Sequence, residues 1–190
     1  MNAVLALLAV EIQNRNDRIE ELIAAIAEDD ASSMGALYDL IKTDVFAFAL
    51  SRTRNRQDAN DVVQDTFVQI FKHARGYDPK GKPMAWIITV ELNLIRRRER
   101  LKTRTVCLDE TYENAPSDDD LEKNVTDNVF LRNLLCRLSE EERQTVVLHV
   151  VSGLKHREIA KIYGKPLSTV LSEYNRAIKK LQRFAKQEKS

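Results

Sequence analysis

The chain has little of what most catalytic or extracellular architectures require. Only 5 of its 190 residues are glycine and 4 are proline, too few for a fold of short strands and tight turns, and no glycine-rich run could wrap a phosphate. The two cysteines, Cys107 and Cys136, lack CxxC spacing, so neither a disulfide framework nor a zinc site is indicated and both read as reduced thiols. His73, His149 and His156 are scattered without an HExxH pattern, and no nucleophile comes with a base. The expectation is a protein that is not an enzyme and has no catalytic residues, metal, cofactor or small-molecule substrate. The apolar run from Ala3 to Val10 has no basic residue before it, meets Glu11, and is far short of the roughly 20 residues that span a bilayer. No direct membrane insertion and a cytoplasmic location follow. Net charge is scarce as well: 30 Lys plus Arg against 29 Asp plus Glu leave +1, which argues neither for nor against nucleic acid.

Apolar residues (43%) and charged residues (31%) are plentiful, and both are patterned. The charges fall in blocks. Residues 1–30 hold seven acids, Glu11, Asp17, Glu20, Glu21, Glu28, Asp29 and Asp30, against Arg15 and Arg18. Arg96, Arg97, Arg98, Arg100, Lys102 and Arg104 then form a basic block that abuts an acidic one running through Asp109, Glu110, Glu113, Asp118, Asp119, Asp120 and Glu122. The acidic stretch carries too few apolar residues to fold alone and reads as a flexible linker over residues 105–127. Before it, helical spacing predicts packed helices with Leu22, Ile23 and Ile26, then Leu37, Leu40, Ile41 and Phe48, then Val63, Phe67, Ile70 and Phe71, then Trp86, Ile87, Val90 and Leu94 turned inward. The turn formers from Arg75 to Pro83 predict a loop between the last two. After the linker, Val129 to Leu138 reads as one helix, and Ser139-Glu140-Glu141-Glu142 as a capping box starting another that stops near Gly153. The fold class is therefore all-α: two small helical domains joined by the acidic linker, residues 1–18 an N-terminal extension, residues 19–104 the first domain and residues 128–190 the second.

The second domain carries a helix-turn-helix pattern. Lys155 to Tyr163 predicts a short helix with Ile159, Ala160 and Ile162 inward; Gly164 ends it, Lys165-Pro166-Leu167 turns the chain, and Ser168 is placed to cap a helix running to about Phe184. Val170, Tyr174, Ala177, Ile178 and Leu181 form the inward stripe of that last helix. Its other face presents Leu171, Ser172, Asn175, Arg176 and Lys179, residue types that read base edges or neutralise phosphate in a major groove. Seven Lys or Arg lie between Lys165 and Ser190, against Glu173 and Glu188. In the first domain Asp58, Asp61, Gln64 and Asp65 give one helix an acidic, amide-bearing face suited to a basic partner. Trp86 with Asn93, Arg96 and Arg97 offers stacking, base-edge hydrogen bonds and phosphate contacts to a single strand.

In this order and spacing, Ala59 to Phe67, Trp86 to Asn93 with Arg96-Arg97, Leu138 to Arg143, Arg157-Glu158-Ile159-Ala160 and Ser168-Thr169-Val170 resemble the motifs of an extracytoplasmic-function (ECF, group 4) RNA polymerase sigma factor of the sigma-70 family. The resemblance spans roughly residues 19–185. It implies a transcription initiation factor that binds core RNA polymerase through Asp61, Gln64, Asp65 and Phe67. It implies minus-ten promoter contacts from Arg75, Tyr77, Lys80, Trp86, Asn93, Arg96 and Arg97, with the Arg75 to Pro83 loop capturing a base. It implies minus-thirty-five contacts from Lys165, Ser168, Thr169, Leu171, Ser172, Asn175, Arg176 and Lys179, and an anti-sigma partner. Asn60 stands where the family usually has Glu, Glu91 where it favours a small residue, and Leu171 and Glu173 where its recognition helix favours basic ones. Two other readings of the second domain are a response-regulator-type DNA-binding output domain, which would require an α/β receiver upstream, and a sigma-derived adaptor without DNA readout.

Overall fold

The computed structural model describes residues 2–106 and 137–187, with side chains described for 10–101 and 137–184. No strand occurs among the described residues, and no described helix is long and apolar enough to cross a membrane. The first half consists of α1 (Asn2–Ala27), α2 (Ala31–Thr53), α3 (Arg56–His73), a 3-10 turn (Ala74–Gly76) and α4 (Pro83–Val106). The second contains α5 (Glu140–Val146), running into a π-turn (Val147–Val151), then α6 (His156–Tyr163) and α7 (Leu167–Gln187). The expected helix from Val129 lies outside the described residues, apart from its last two residues, Arg137 and Leu138. The expected linker does too, except that its first two residues, 105 and 106, belong to α4.

Local chemistry sets most of these boundaries. The Asp30 side chain caps α2 by accepting from the Ser32 amide at 2.9 Å and from both serine hydroxyls, bonds that hold its carboxyl below the usual range. Asn55 caps α3 through the Asp58 amide at 3.0 Å. Pro83 opens α4 at a position where a missing N–H costs nothing. Ser139 and Glu142 form the expected capping box reciprocally, and Gly164 closes α6 in the left-handed region at φ 64°. Ser168 is not the cap of α7. The helix begins at Leu167, with the Pro166 carbonyl accepting from the Thr169 and Val170 amides, so Ser168 lies inside the first turn. The residues set apart as an extension belong, from Asn2 onward, to α1 itself, and Arg15 pairs with the buried Asp44 of α2.

The core follows the helical periodicity with two rotations. Among the described side chains of α4 the buried residues are Pro83, Met84, Ile87, Ile88, Glu91, Leu92 and Ile95, while Trp86, Val90 and Leu94 flank them half-buried. On α3 the inward face is Ala59, Val62, Val63, Thr66, Phe67 and Ile70, and Phe71 is 51% exposed. Thr66 is admitted because its hydroxyl donates to the Val62 carbonyl at 2.7 Å. A larger departure concerns the two halves, which do not have separate cores. Val147, Leu148, Leu154, Ile159, Ala160 and Val170 pack into one cluster with the residues of α1 to α4, whereas Leu138, Val146 and Ala177 form a small cluster of their own. Polar bonds cross the same boundary: buried Arg143 donates to the Ser51 carbonyl at 2.9 Å, Arg52 pairs with Glu140 at 2.8 Å, and Lys82 pairs with Glu158 at 3.1 Å.

Candidate functional site

The outer face of α3 is the first candidate surface. Asp61 and Gln64 are exposed, and Asp65 is half-buried in an ion pair with Arg98 of α4. Phe67, expected on the partner-facing surface, turns inward with only 8% exposure and sets its ring 4.9 Å from that of Tyr38. It therefore anchors α3 to α2 and does not itself reach a partner. The apolar groups that do face outward are Val68 (48% exposed) and Phe71 (51%), one and two turns beyond Gln64. Wheel geometry would have found them, since 61, 64, 65, 68 and 71 follow one another at helical spacing. The result is an apolar patch beside acidic and amide groups.

The loop between α3 and α4 is the second surface, and it is tied to α1. Arg75 donates through Nε to the Ala27 carbonyl at 3.1 Å and pairs with Asp29 at 2.6 Å, so its cation is already engaged. The Tyr77 hydroxyl and the Gly81 amide both donate to Oε1 of Glu20, each at 2.8 Å. Burial first, then the Glu20 contact, pushes the Tyr77 phenol well above its usual range, so it remains a donor. Its ring lies 4.8 Å from that of Trp86, which is half-buried against the core. Lys80 pairs with Asp78 at 2.7 Å on the exposed tip. Further along α4, Asn93, Arg96 and Arg97 are exposed and form an amide and cation row. No signal near Tyr77 in sequence pointed to Glu20 or Asp29, because the bonds they make span 46 to 61 residues.

The helix-turn-helix is the third. On α7, Ser168, Leu171, Ser172, Asn175, Arg176 and Lys179 are exposed, while Thr169 is half-buried. The Ser172 hydroxyl is spent on the Ser168 carbonyl at 2.8 Å. Glu173, which stands where the family's recognition helix favours a basic residue, is buried at 4% exposure, where it accepts from Thr145 at 3.1 Å and pairs with Lys165 at 2.8 Å. It puts no acid on the outward face. The same bond occupies Lys165, and Arg176 lies 3.6 Å from Glu142 while remaining 60% exposed. Arg157, Lys161 and Lys165 edge a shallow hollow of about 420 Å³ floored by Ala160, Gly164 and Leu167, which places three cations around an open apolar floor. Among the described residues no group of three or more His, Cys, Asp or Glu could hold a metal ion.

Two family matches fall on these elements. Residues 37–105 match Sigma-70 region 2 and residues 131–181 match Sigma-70, region 4. The chain belongs to the sigma-70 family. Within it the chain is an ECF sigma factor, a transcription initiation factor. It is 27% identical to the ECF RNA polymerase sigma factor SigK of Mycobacterium sp. (strain KMS), over 86% of this chain and 89% of that one. It is 29% identical to the ECF RNA polymerase sigma factor SigE of Mycolicibacterium smegmatis, over 83% of this chain and 65% of that one. The sigma factor RpoE of Bartonella quintana, solved in complex with the anti-sigma factor NepR, superposes with a TM-score of 0.66 at 25% identity, covering 78% of this chain and 94% of that one. CnrH, solved with the cytosolic domain of CnrY, shares the fold with a TM-score of 0.60 at 23% identity, over 90% and 98% of the two chains. In this sigma factor the α3 face, the α3–α4 loop and the row on α4 all lie in the region 2 match, and the helix-turn-helix lies in the region 4 match.

Proposed function

We propose that this sigma factor binds core RNA polymerase through the outer face of α3, handles the opened minus-ten strand with the α3–α4 loop and the exposed row on α4, and reads the minus-thirty-five element with α7. Residues 19–104 act as the first functional unit and 128–190 as the second, with 105–127 connecting them. The chain works by binding, without catalysis of its own, in the cytoplasm where polymerase and promoter DNA are found. An anti-sigma factor is its regulatory partner, a reading supported by the RpoE relative solved with NepR. The observation that carries the proposal is the half-exposed Val68 and Phe71 beside Asp61 and Gln64. Apolar groups bordered by acids suit a protein partner, since the acids repel a phosphate backbone. Because Lys82 is held by Glu158 across the two halves, separating them on polymerase would free that cation next to the loop.

The test is a pull-down on core polymerase with Asp61→Arg combined with Gln64→Ala, and separately with Phe71→Ala. All three residues are outside the core, so helicity is expected to hold while affinity falls roughly tenfold or more. Unchanged affinity in both variants would remove α3 from the interface.

A further inference from the structure

Two ends of the α3–α4 loop are tied to a helix that precedes the matched region 2. Glu20 sits on α1, upstream of residue 37 where that match begins. One carboxylate oxygen, Oε1, receives the Tyr77 hydroxyl and the Gly81 amide, both at 2.8 Å. The donors are four residues apart on either side of Pro79, so a single acceptor gathers the loop into one shape. Gly81 reaches it in the left-handed region at φ 67°, a conformation that a side chain would strain. The entrance to the loop is pinned separately, by Arg75 on the Ala27 carbonyl and on Asp29 at the end of α1. Tyr77 passes the constraint on to Trp86 at the start of α4.

A loop that must wrap an extruded base loses its conformational freedom on binding, unless that freedom has been removed beforehand. We infer that Glu20, acting through Tyr77 and Gly81, is a positioning residue that presets the α3–α4 loop for its promoter base and thereby sets minus-ten specificity. The inference rests on the reading of that loop as the base-capturing element. Arg75 and Tyr77 then serve the loop's shape and do not touch DNA themselves, which leaves the tip from Asp78 to Lys82 to meet the strand.

The experiment is in vitro transcription by holoenzyme on promoters randomised across the minus-ten element, with polymerase affinity measured in parallel. Glu20→Ala is expected to flatten base preference at the affected position by roughly 5–10-fold, the worth of one or two net hydrogen bonds, with polymerase affinity unchanged. Glu20→Gln keeps an oxygen that can accept both bonds and should restore the preference, while Tyr77→Phe, which keeps the ring on Trp86, should lose an intermediate amount. Asp78→Ala with Lys80→Ala alters the tip without touching Glu20 and should shift the preference by itself. If the tip variant shifts the preference and Glu20→Ala and Tyr77→Phe do not, the positioning role is overturned while the reading of the loop stands. If the tip variant also leaves the preference untouched, the reading of the loop is overturned and the inference falls with it.

Discussion

Glu91 of the first half and the buried acids of the second, Glu142 and Glu173, are treated in opposite ways, although Asp44 in the first half is buried with a cation, Arg15. Glu91, in the middle of the buried stripe of α4, is fully enclosed with neither oxygen partnered by a hydrogen bond, and burial pushes its carboxyl well above the usual range, the Ala49 backbone offsetting only part of this. Glu142 and Glu173 in the second half are 3% and 4% exposed, yet each has cations. Burial is the largest single influence on Glu142 and raises its carboxyl, but Lys180 at 2.7 Å, the Ser139 amide at 3.0 Å and Arg176 together bring it below the ordinary value. The comparison teaches that burial alone does not decide the state of an acid. A buried carboxyl keeps its charge where partners reach it and is driven to the neutral form where none do.

The largest effect is expected at a partnered acid. Glu142→Ala removes the capping box and leaves Lys180 and Arg176 without their shared anion, and should destabilise the protein by about 2–3 kcal/mol in urea unfolding, with the partial exposure of both cations already discounted. A loss below about 0.5 kcal/mol would break the comparison from that side.

A smaller effect of opposite sign is expected at the unpartnered one. Glu91→Leu fills the same space without a polar group and should stabilise by about 1–2 kcal/mol at neutral pH. The sign of the pH dependence follows from linkage. Because the folded-state carboxyl is raised, its contribution is fully present below the ordinary glutamate value and is lost as pH climbs from there through the folded value. Urea unfolding at pH 4.5 and pH 8 should therefore show the advantage of Glu91→Leu growing with pH. A constant difference would mean that Glu91 is charged in the folded protein.

The smallest effect sharpens the comparison with a half-buried base. His149 and His156 lie 4.1 Å apart, both against Tyr174 of α7, and burial and then the neighbouring His149 lower the proton affinity of His156. A depressed histidine contributes stability that is present above its ordinary value of 6.5 and is lost as pH falls through the folded one. Melting between pH 8 and pH 5.5 should show a small loss on the acid side that His156→Gln abolishes; an unaltered slope in that variant would clear the pair.

Much of this was legible from spacing and composition. The capping box at Ser139, the stop at Gly164 and the inward Val170 and Ala177 are local matters, fixed by side chains within four residues of the backbone they bond or by a 3.6-residue repeat. Glu173 was not legible, because its place on the wheel borders the inward stripe, and only Lys165 and Thr145, brought in from 8 and 28 residues away, make burial of an acid there tolerable. Phe71 failed for the converse reason: an apolar residue next to Ile70 reads as core until it is seen that, among the described residues, no helix covers that side of α3.

What the amino-acid order determined by itself is the helical periodicity, the caps and turns that cut it into elements, and the motif order that marks a sigma factor, since each depends on neighbours within one or two turns. Only the tertiary structure decided that the halves share one core, that Glu91 is sealed without a partner, and that Glu20 holds a loop 57 to 61 residues away. Those depend on which surfaces meet across long stretches of chain. The free energy of such meetings comes from burying apolar area, which has no direction along the sequence and leaves no local mark in it.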